Sequence, residues 1–155
     1  MTDSSARRVT IFYSWQSDRD RDCCKEFIRL AAEAAAAKLS GRLNVEVVVD
    51  ADTEGVAGTP AINDTILRKI EESDLFLADM TFVAQTQAGK RVPNPNVMGE
   101  YGYALKCKGL QRILLAMNTA FGSPEELPFD LRHLRHPAQY ALEEGAPDGE
   151  RRRIA

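Results

Sequence analysis

The chain contains few cysteines, and their arrangement excludes two common roles. Its 155 residues include three cysteines: Cys23, Cys24 and Cys107. They are odd in number and show neither metal-ligand spacing nor a disulfide framework. We interpret them as free thiols in a reducing compartment and expect a cytoplasmic protein. For the adjacent Cys23 and Cys24, the pattern favours two small buried side chains over an activated thiolate.

The sequence also lacks an excess of basic residues and any long apolar run. Lys and Arg number 20 against 23 Asp and Glu, and the formal net charge is −3. Nucleic acid as a direct partner is therefore disfavoured. No apolar stretch approaches the roughly 20 residues that cross a bilayer, and residues 1–8 lack a signal-peptide core. We expect neither nucleic acid nor a membrane as partner.

Several motifs of nucleotide and hydrolase chemistry are absent too. No Gly-x-Gly-x-x-Gly follows the first predicted strand, and there is no Walker sequence and no Gly-x-Ser-x-Gly elbow. His133 and His136 stand late in the chain beside arginines, which repel a cation, so we expect no metal site there. The side chains left for catalysis are carboxylates.

The apolar segments that are present predict an α/β domain. Strands are predicted at residues 8–15, 44–49, 75–80 and 112–117, with a short fifth strand near 140–142, and a polar loop at 81–92. Helices are predicted at residues 24–39, from 59 with an apolar stripe at every fourth residue, and from 97. This alternation predicts right-handed crossovers and a parallel sheet covered on both faces. The domain is expected to span 8–142, with 143–155 as a polar linker or tail toward a further domain.

Ligands of such sheets bind beyond the carboxyl ends of the strands. That rule brings together four polar segments of this chain, which are residues 14–18, 50–58, 79–81 and 93–100. We therefore expect a binding site on this edge of the sheet.

The segment 93–108, PNPNVMGEYGYALKCK, supplies the strongest candidate. Its prolines fix an extended approach, and Asn96 stands where an N-cap is expected, with helix after it. Gly99 and Gly102 flank Glu100 and cost the helix about 1 kcal/mol each relative to alanine. They predict backbone close to a ligand or to a neighbouring strand. Glu100 is either a catalytic carboxylate in the first turns or a partner of the helix dipole.

A single carboxylate can act on an N-glycosidic bond, because it stabilises or traps the oxocarbenium-like ion that forms on cleavage. A pyridinium such as nicotinamide leaves as a neutral base and needs no acid. A purine or pyrimidine leaves more readily when protonated, and Asp79, at the end of the third strand, is the candidate acid. The alternative for Asp79 is a bond to loop amides.

Several motifs, taken together, resemble a bacterial TIR-like domain. The closest branch is the predicted nucleotide-binding TIR-like group of anti-phage defence effectors. The resemblance covers residues 8–142, in family order. Its motifs are FYSWQSD at 12–18, DADTEGVAGTPAINDTI at 50–66, DLFLADMT at 74–81, NPNVMGEYGYALK at 94–106 and PFDLRH at 128–133.

The resemblance implies a flavodoxin-like three-layer α/β fold with a five-stranded parallel sheet. It also implies cleavage of NAD⁺ as substrate at the nicotinamide–ribose bond, with hydrolysis or cyclisation of ADP-ribose, and no further cofactor. Glu100 matches the catalytic glutamate of the family. The residues expected to bind substrate are Ser14, Trp15, Gln16, Asp18, Asp50, Gly55, Asp79, Asn96 and Tyr103. Of these, Trp15 is either a pocket wall or a core residue.

The expected partners follow from the same resemblance. They are other TIR domains, by self-association that activates the enzyme, and a sensor or cyclic-nucleotide-responsive module in the full-length protein. Two other functions stay open. The first is a nucleoside or nucleotide deoxyribosyltransferase-like N-glycosidase, because nucleoside deoxyribosyltransferases share the architecture and a similar Glu-Tyr/Leu-Gly-Tyr-Ala stretch. The second is a non-catalytic TIR interaction module.

Overall fold

The computed structural model describes residues 7–51 and 59–154. Its strands are β1 Arg7–Ser14, β2 Val45–Asp50, β3 Leu75–Asp79, β4 Phe82–Gln85, β5 Arg91–Pro93, β6 Ile113–Asn118 and β7 Ala138–Tyr140. Its helices are α1 Lys25–Leu43, α2 Thr59–Glu72, α3 Pro95–Lys108, α4 Phe129–Arg132 and α5 Asp148–Ile154. Every helix in these ranges is too short or too polar to span a lipid bilayer.

The main sheet confirms the predicted α/β fold. Its five strands are all parallel and stand in the order β2-β1-β3-β6-β7. The apolar runs of β1 and β3 lie in the middle of this order, where both faces are covered, which explains why they show no alternation of polar residues. The result is the predicted flavodoxin-like three-layer arrangement.

The two faces of the sheet have separate cores. Successive side chains of a strand point to opposite faces. Phe12 of β1 packs in one cluster with Phe76 of β3 and with α3. Tyr13, one residue later, packs in another cluster with Ile28 of α1 and Leu77 of β3. We call these the α3 face and the α1 face.

Two predicted helix ends are wrong by a few residues. Helix α1 does not end before Gly41 but continues to Leu43 and is terminated by Asn44, which is left-handed with φ 51° and ψ 44°. Asparagine tolerates this conformation better than most residues. Helix α3 is capped by Asn94 and not by Asn96. The residue before a proline is held extended, as an N-cap requires, and Pro95 is then well placed at the first helical position.

The loop predicted at 81–92 contains the antiparallel hairpin β4–β5. Its turn includes Gly89 at φ 83°, a conformation that glycine adopts without strain. The residues around the turn are polar, so the sequence shows no apolar periodicity that would predict the hairpin. The last strand also begins earlier than predicted, because Ala138–Tyr140 pairs with β6.

The segment predicted as a polar tail carries α5. Ala146 is buried, and Ile154 packs against the cluster that includes Cys23, Cys24 and Phe27. Both adjacent cysteines are buried, as expected for small core side chains. That the segment leads toward a further domain stays a prediction.

The glycines beside Glu100 do not pack closely against a strand. A Cβ built on Gly99 or Gly102 would meet nothing within 4 Å, so the alternative of a neighbouring strand is wrong for the described residues. The close approach occurs at Gly122 instead. Its φ is 146°, and a Cβ there would lie 2.6 Å from Cδ2 of Phe82.

We predict that Gly122→Ala destabilises the domain by about 1–3 kcal/mol, because the added methyl overlaps a buried ring and the backbone conformation disfavours alanine. The matched variant is Gly102→Ala, which we expect to be neutral or to stabilise by up to about 1 kcal/mol. Urea unfolding of both variants measures the two effects. Equal stabilities would contradict the packing described for Gly122.

Candidate active site

The central contact of the site joins β1 to α3. The side chain of Ser14, the last residue of β1, follows Phe12 onto the α3 face and is only 2% exposed. Its hydroxyl donates a hydrogen bond of 2.5 Å to Oε2 of Glu100. Glu100 lies in the second turn of α3, beyond the carboxyl end of β1. The predicted catalytic carboxylate therefore lies at the predicted edge of the sheet.

The electrostatics of Glu100 suit a reactive carboxylate. Burial raises the pKa of Glu100 above its usual value, and the hydrogen bond from Ser14 partly opposes that rise. Within the described residues, no hydrogen bond reaches Oε1 and no cation pairs with the carboxylate. One oxygen is thus held in place by Ser14, and the Glu100 side chain as a whole is partly exposed. A carboxyl group with a raised pKa and one specific hydrogen-bond partner is a candidate functional group.

The start of α3 is fixed by Asn94. Its side-chain oxygen accepts from the backbone N–H groups of Asn96, at 2.8 Å, and Val97, at 3.1 Å. Asn96, which was expected to bind substrate, is exposed and is joined to this cap through its backbone. Asn94 itself was missed as a site residue. The signal that could have found it is the Asn-Pro pair, since proline belongs directly after a cap.

The loop after β1 contributes Gln16 and Asp18. Gln16 is buried, and its Nε2 donates to Asp79 at 3.2 Å. Its Oε1 accepts from the backbone N–H groups of Asp18, at 2.7 Å, and Arg19, at 2.9 Å. The carboxylate of Asp18 accepts from Nδ2 of Asn94 at 2.6 Å. Gln16 and Asp18 thus bind neighbouring parts of the protein.

Asp79 lies apart from Glu100. It follows Leu77 onto the α1 face, is fully buried, and accepts from the backbone N–H of Thr81 at 2.9 Å. Burial raises the pKa of Asp79, opposed by its hydrogen bonds from Thr81 and Gln16. The structure does not bring Asp79 to Glu100, and its contacts match the alternative of bonding loop amides.

Trp15 also lies on the α1 face, one residue past Ser14. Its Nε1 donates to the carbonyl of Ala51 at 2.9 Å. The ammonium of Lys25 lies 3.3 Å from the centre of its ring, a cation–π contact. The side chain packs partly against the α1-face core. These contacts favour the prediction of Trp15 as a core residue over its prediction as part of a pocket wall beside Glu100.

The remaining predicted residues are distributed around the edge. Tyr103 donates its hydroxyl to Glu71 of α2, and this bond raises the pKa of Tyr103 to about 12. Asp50, at the end of β2, forms an ion pair with Lys69 at 3.2 Å. Gly55 lies outside the described residues. Of the predicted set, the structure brings Ser14 into direct contact with Glu100 and links Asp18 to the cap of the same helix.

A cavity of about 360 Å³ lies between the hairpin and α4. Charges of both signs line it, including Lys90, Glu125 and Arg132, and Glu100 is not among its lining residues. The chemistry described above is thus separate from this cavity.

No family model matches the chain, and no curated protein matches it. Among solved structures, the chain is similar to a 2-desoxiribosyltransferase from Leishmania mexicana, with a TM-score of 0.52 and 16% sequence identity. The alignment covers 84% of this chain and 89% of that chain. At this identity the similarity supports the shared fold.

We predict that Ser14→Ala raises the pKa of Glu100 further, because it removes the hydrogen bond that stabilises the ionised form. Titration of the glutamate carboxyl carbons by NMR measures the shift. Ser17→Ala, at an exposed neighbour, is the control and is expected to leave the pKa of Glu100 unchanged.

The same variant has a consequence for stability. The folded-state pKa of Glu100 is raised, which means that ionisation of Glu100 costs more in the folded protein than in the unfolded chain. The free energy of unfolding is therefore highest at low pH, where Glu100 is protonated, and it falls as the pH rises through the unfolded-state and then the folded-state pKa. Ser14→Ala therefore makes the loss of stability over this pH range larger. An unchanged pKa in Ser14→Ala would contradict the Ser14–Glu100 bond.

Proposed function

We propose that this domain breaks the N-glycosidic bond of a nucleoside or nucleotide, with Glu100 as the catalytic carboxylate. The observation that carries the proposal is the Ser14–Glu100 pair. It places a carboxylate of raised pKa, oriented by a buried hydroxyl, at the edge where parallel sheets bind ligands. This position suits a group that must face the anomeric carbon of a bound sugar.

The proposed reaction needs the ionised form of Glu100. As the C1′–N bond breaks, its electron pair leaves with the base, and the carboxylate stabilises the positive charge that develops on the sugar. Oε1 can then form a bond to C1′ while Ser14 holds Oε2. Water or the nitrogen of a second base attacks C1′ in the next step. The C1′–Oε1 bond breaks with its electron pair on Oε1, which restores the free carboxylate, and the incoming group loses its proton to solvent.

The similarity to a desoxiribosyltransferase supports transfer between bases as the first form of the reaction to test. That protein has the same overall fold over 84% of this chain. The comparison suggests a 2′-deoxyribosyl group as the transferred sugar.

NAD⁺ is the second candidate substrate, and a separate observation favours it. Asp79, the candidate acid for a purine or pyrimidine, faces the opposite side of the sheet from Glu100. Nicotinamide leaves as a neutral base and needs no such acid. The sequence motifs that resemble TIR-like domains favour the same substrate.

Incubation of the protein with deoxynucleosides plus a free base, with nucleoside monophosphates, and with NAD⁺ separates these functions. Chromatography of the products identifies base exchange, free base or nicotinamide. The assay is run over a range of protein concentrations, because self-association is expected to activate a TIR-like enzyme. Base exchange supports the transferase, and nicotinamide release supports NAD⁺ cleavage. No product at any concentration supports the interaction module and contradicts the proposal.

We predict that Glu100→Gln lowers the rate of the active reaction by about 100-fold or more, because the neutral amide can neither stabilise nor trap the sugar cation. Glutamine still accepts a hydrogen bond from Ser14, and removing a partly buried charge leaves thermal stability equal or higher. Glu72→Gln, at an exposed position of α2, is the matched control. Substantial activity in folded Glu100→Gln would exclude the proposed mechanism.

A further inference from the structure

The segment after β1 holds α3 at two points. The first is the bond from Ser14 to Glu100, and the second is the bond that Asp18 accepts from Asn94 at 2.6 Å. Asn94 and Glu100 are separated by six positions, which corresponds to about 9 Å along a helix axis. Two attachments at this separation limit both the rotation and the sliding of the helix, whereas a single one leaves the rotation free.

Apolar packing alone does not provide this control. Helix α3 buries Val97, Tyr101 and Ala104 against the sheet, and these contacts keep the helix in place. Burial of apolar surface is non-directional. The distance between a carboxylate and a sugar carbon must be controlled more finely than such packing requires, since a misplacement of about 1 Å can reduce a rate 100-fold.

Asp18 is itself anchored to the interior. Its backbone N–H donates to Oε1 of the buried Gln16, whose Nε2 donates to Asp79 at the end of β3. The amide of Gln16 cannot be reversed without loss, because Oε1 accepts two backbone N–H groups and Nε2 faces a carboxylate. The exposed Asp18 is therefore placed by a buried network and not by the loop alone.

From these contacts we infer that Asp18 is a positioning residue: through Asn94 it fixes the first turn of α3 and thereby the placement of Glu100 against Ser14. The inference rests on the proposed function of Glu100 for its kinetic consequence. It differs from the role that the sequence analysis predicts for Asp18, which is direct contact with substrate.

An exchange of the two side chains tests this role. Asn94→Asp keeps an N-cap acceptor but places two carboxylates against each other, so we expect kcat to fall about 10- to 100-fold with KM changed much less. Adding Asp18→Asn recreates the pair with donor and acceptor exchanged, and kcat is expected to return to within a few-fold of the original. The control adds Glu143→Gln to Asn94→Asp, which has the same net charge without the pair, and is expected not to recover.

Two kinetic results would overturn the inference. One is an unchanged kcat in folded Asn94→Asp. The other is a double exchange no more active than its charge-matched control. A change confined to KM in Asp18→Asn or Asp18→Ala would assign Asp18 to substrate binding instead.

A second measurement does not depend on activity. Removing the negative charge of Asp18 lowers the pKa of a nearby carboxyl by electrostatics alone. If Asp18 instead positions α3, its loss changes the pKa of Glu100 in the opposite direction, because the hydrogen bond from Ser14 weakens and the pKa rises. We expect NMR titration of Asp18→Ala to show a raised pKa for Glu100. A lowered or unchanged value contradicts the inference, even where no substrate is turned over, while a raised value with no turnover contradicts only the proposed function.

Discussion

The hydrogen bond from Ser14 to Glu100 joins residues 86 positions apart, and the candidate site depends on it. It requires β1 to end with Ser14 on the α3 face and α3 to begin early enough for Glu100 to reach that end. Burial opposes the charged form of Glu100, and the hydroxyl of Ser14 supports it. A carboxylate that is neither fully hydrated nor neutralised by a cation is a stronger nucleophile than one in an ion pair, and that balance is what cleavage of a glycosidic bond needs.

The alternation of side chains along a strand separates two sets of polar groups at the same edge. Ser14 and Glu100 lie on the α3 face, where Ser14 is buried and Glu100 is partly exposed. Asp79 lies on the α1 face, where Gln16 and Thr81 satisfy its carboxylate. A buried carboxyl is tolerated when its hydrogen bonds are complete. The α1-face network therefore supports the loop after β1, and the candidate catalytic carboxylate, Glu100, lies on the α3 face.

The sequence was sufficient to predict the α/β fold and the edge of the sheet at which Glu100 lies, because long apolar runs and helical spacing are local signals. The face on which Asp79 lies depends on the register between β1 and β3, in which Ser14 pairs with Ala78. That pairing is a long-range property that no local pattern contains. The cap of α3 was ambiguous for another reason: Asn94 and Asn96 are both good caps, and the rigidity of Pro95 decides between them.

The chemistry of the leaving group determines what else this edge of the sheet must provide. A neutral leaving group such as nicotinamide requires only stabilisation of the sugar cation, and one oriented carboxylate supplies that. A purine or pyrimidine accumulates negative charge unless it is protonated, and the buried Asp79 cannot deliver a proton through the sheet to the α3 face. Asp18, whose carboxylate is linked to the start of α3, accepts a hydrogen bond from Asn94. A domain of this geometry that exchanges bases must therefore draw the proton from solvent or from another part of the chain, whereas the departure of nicotinamide requires no proton.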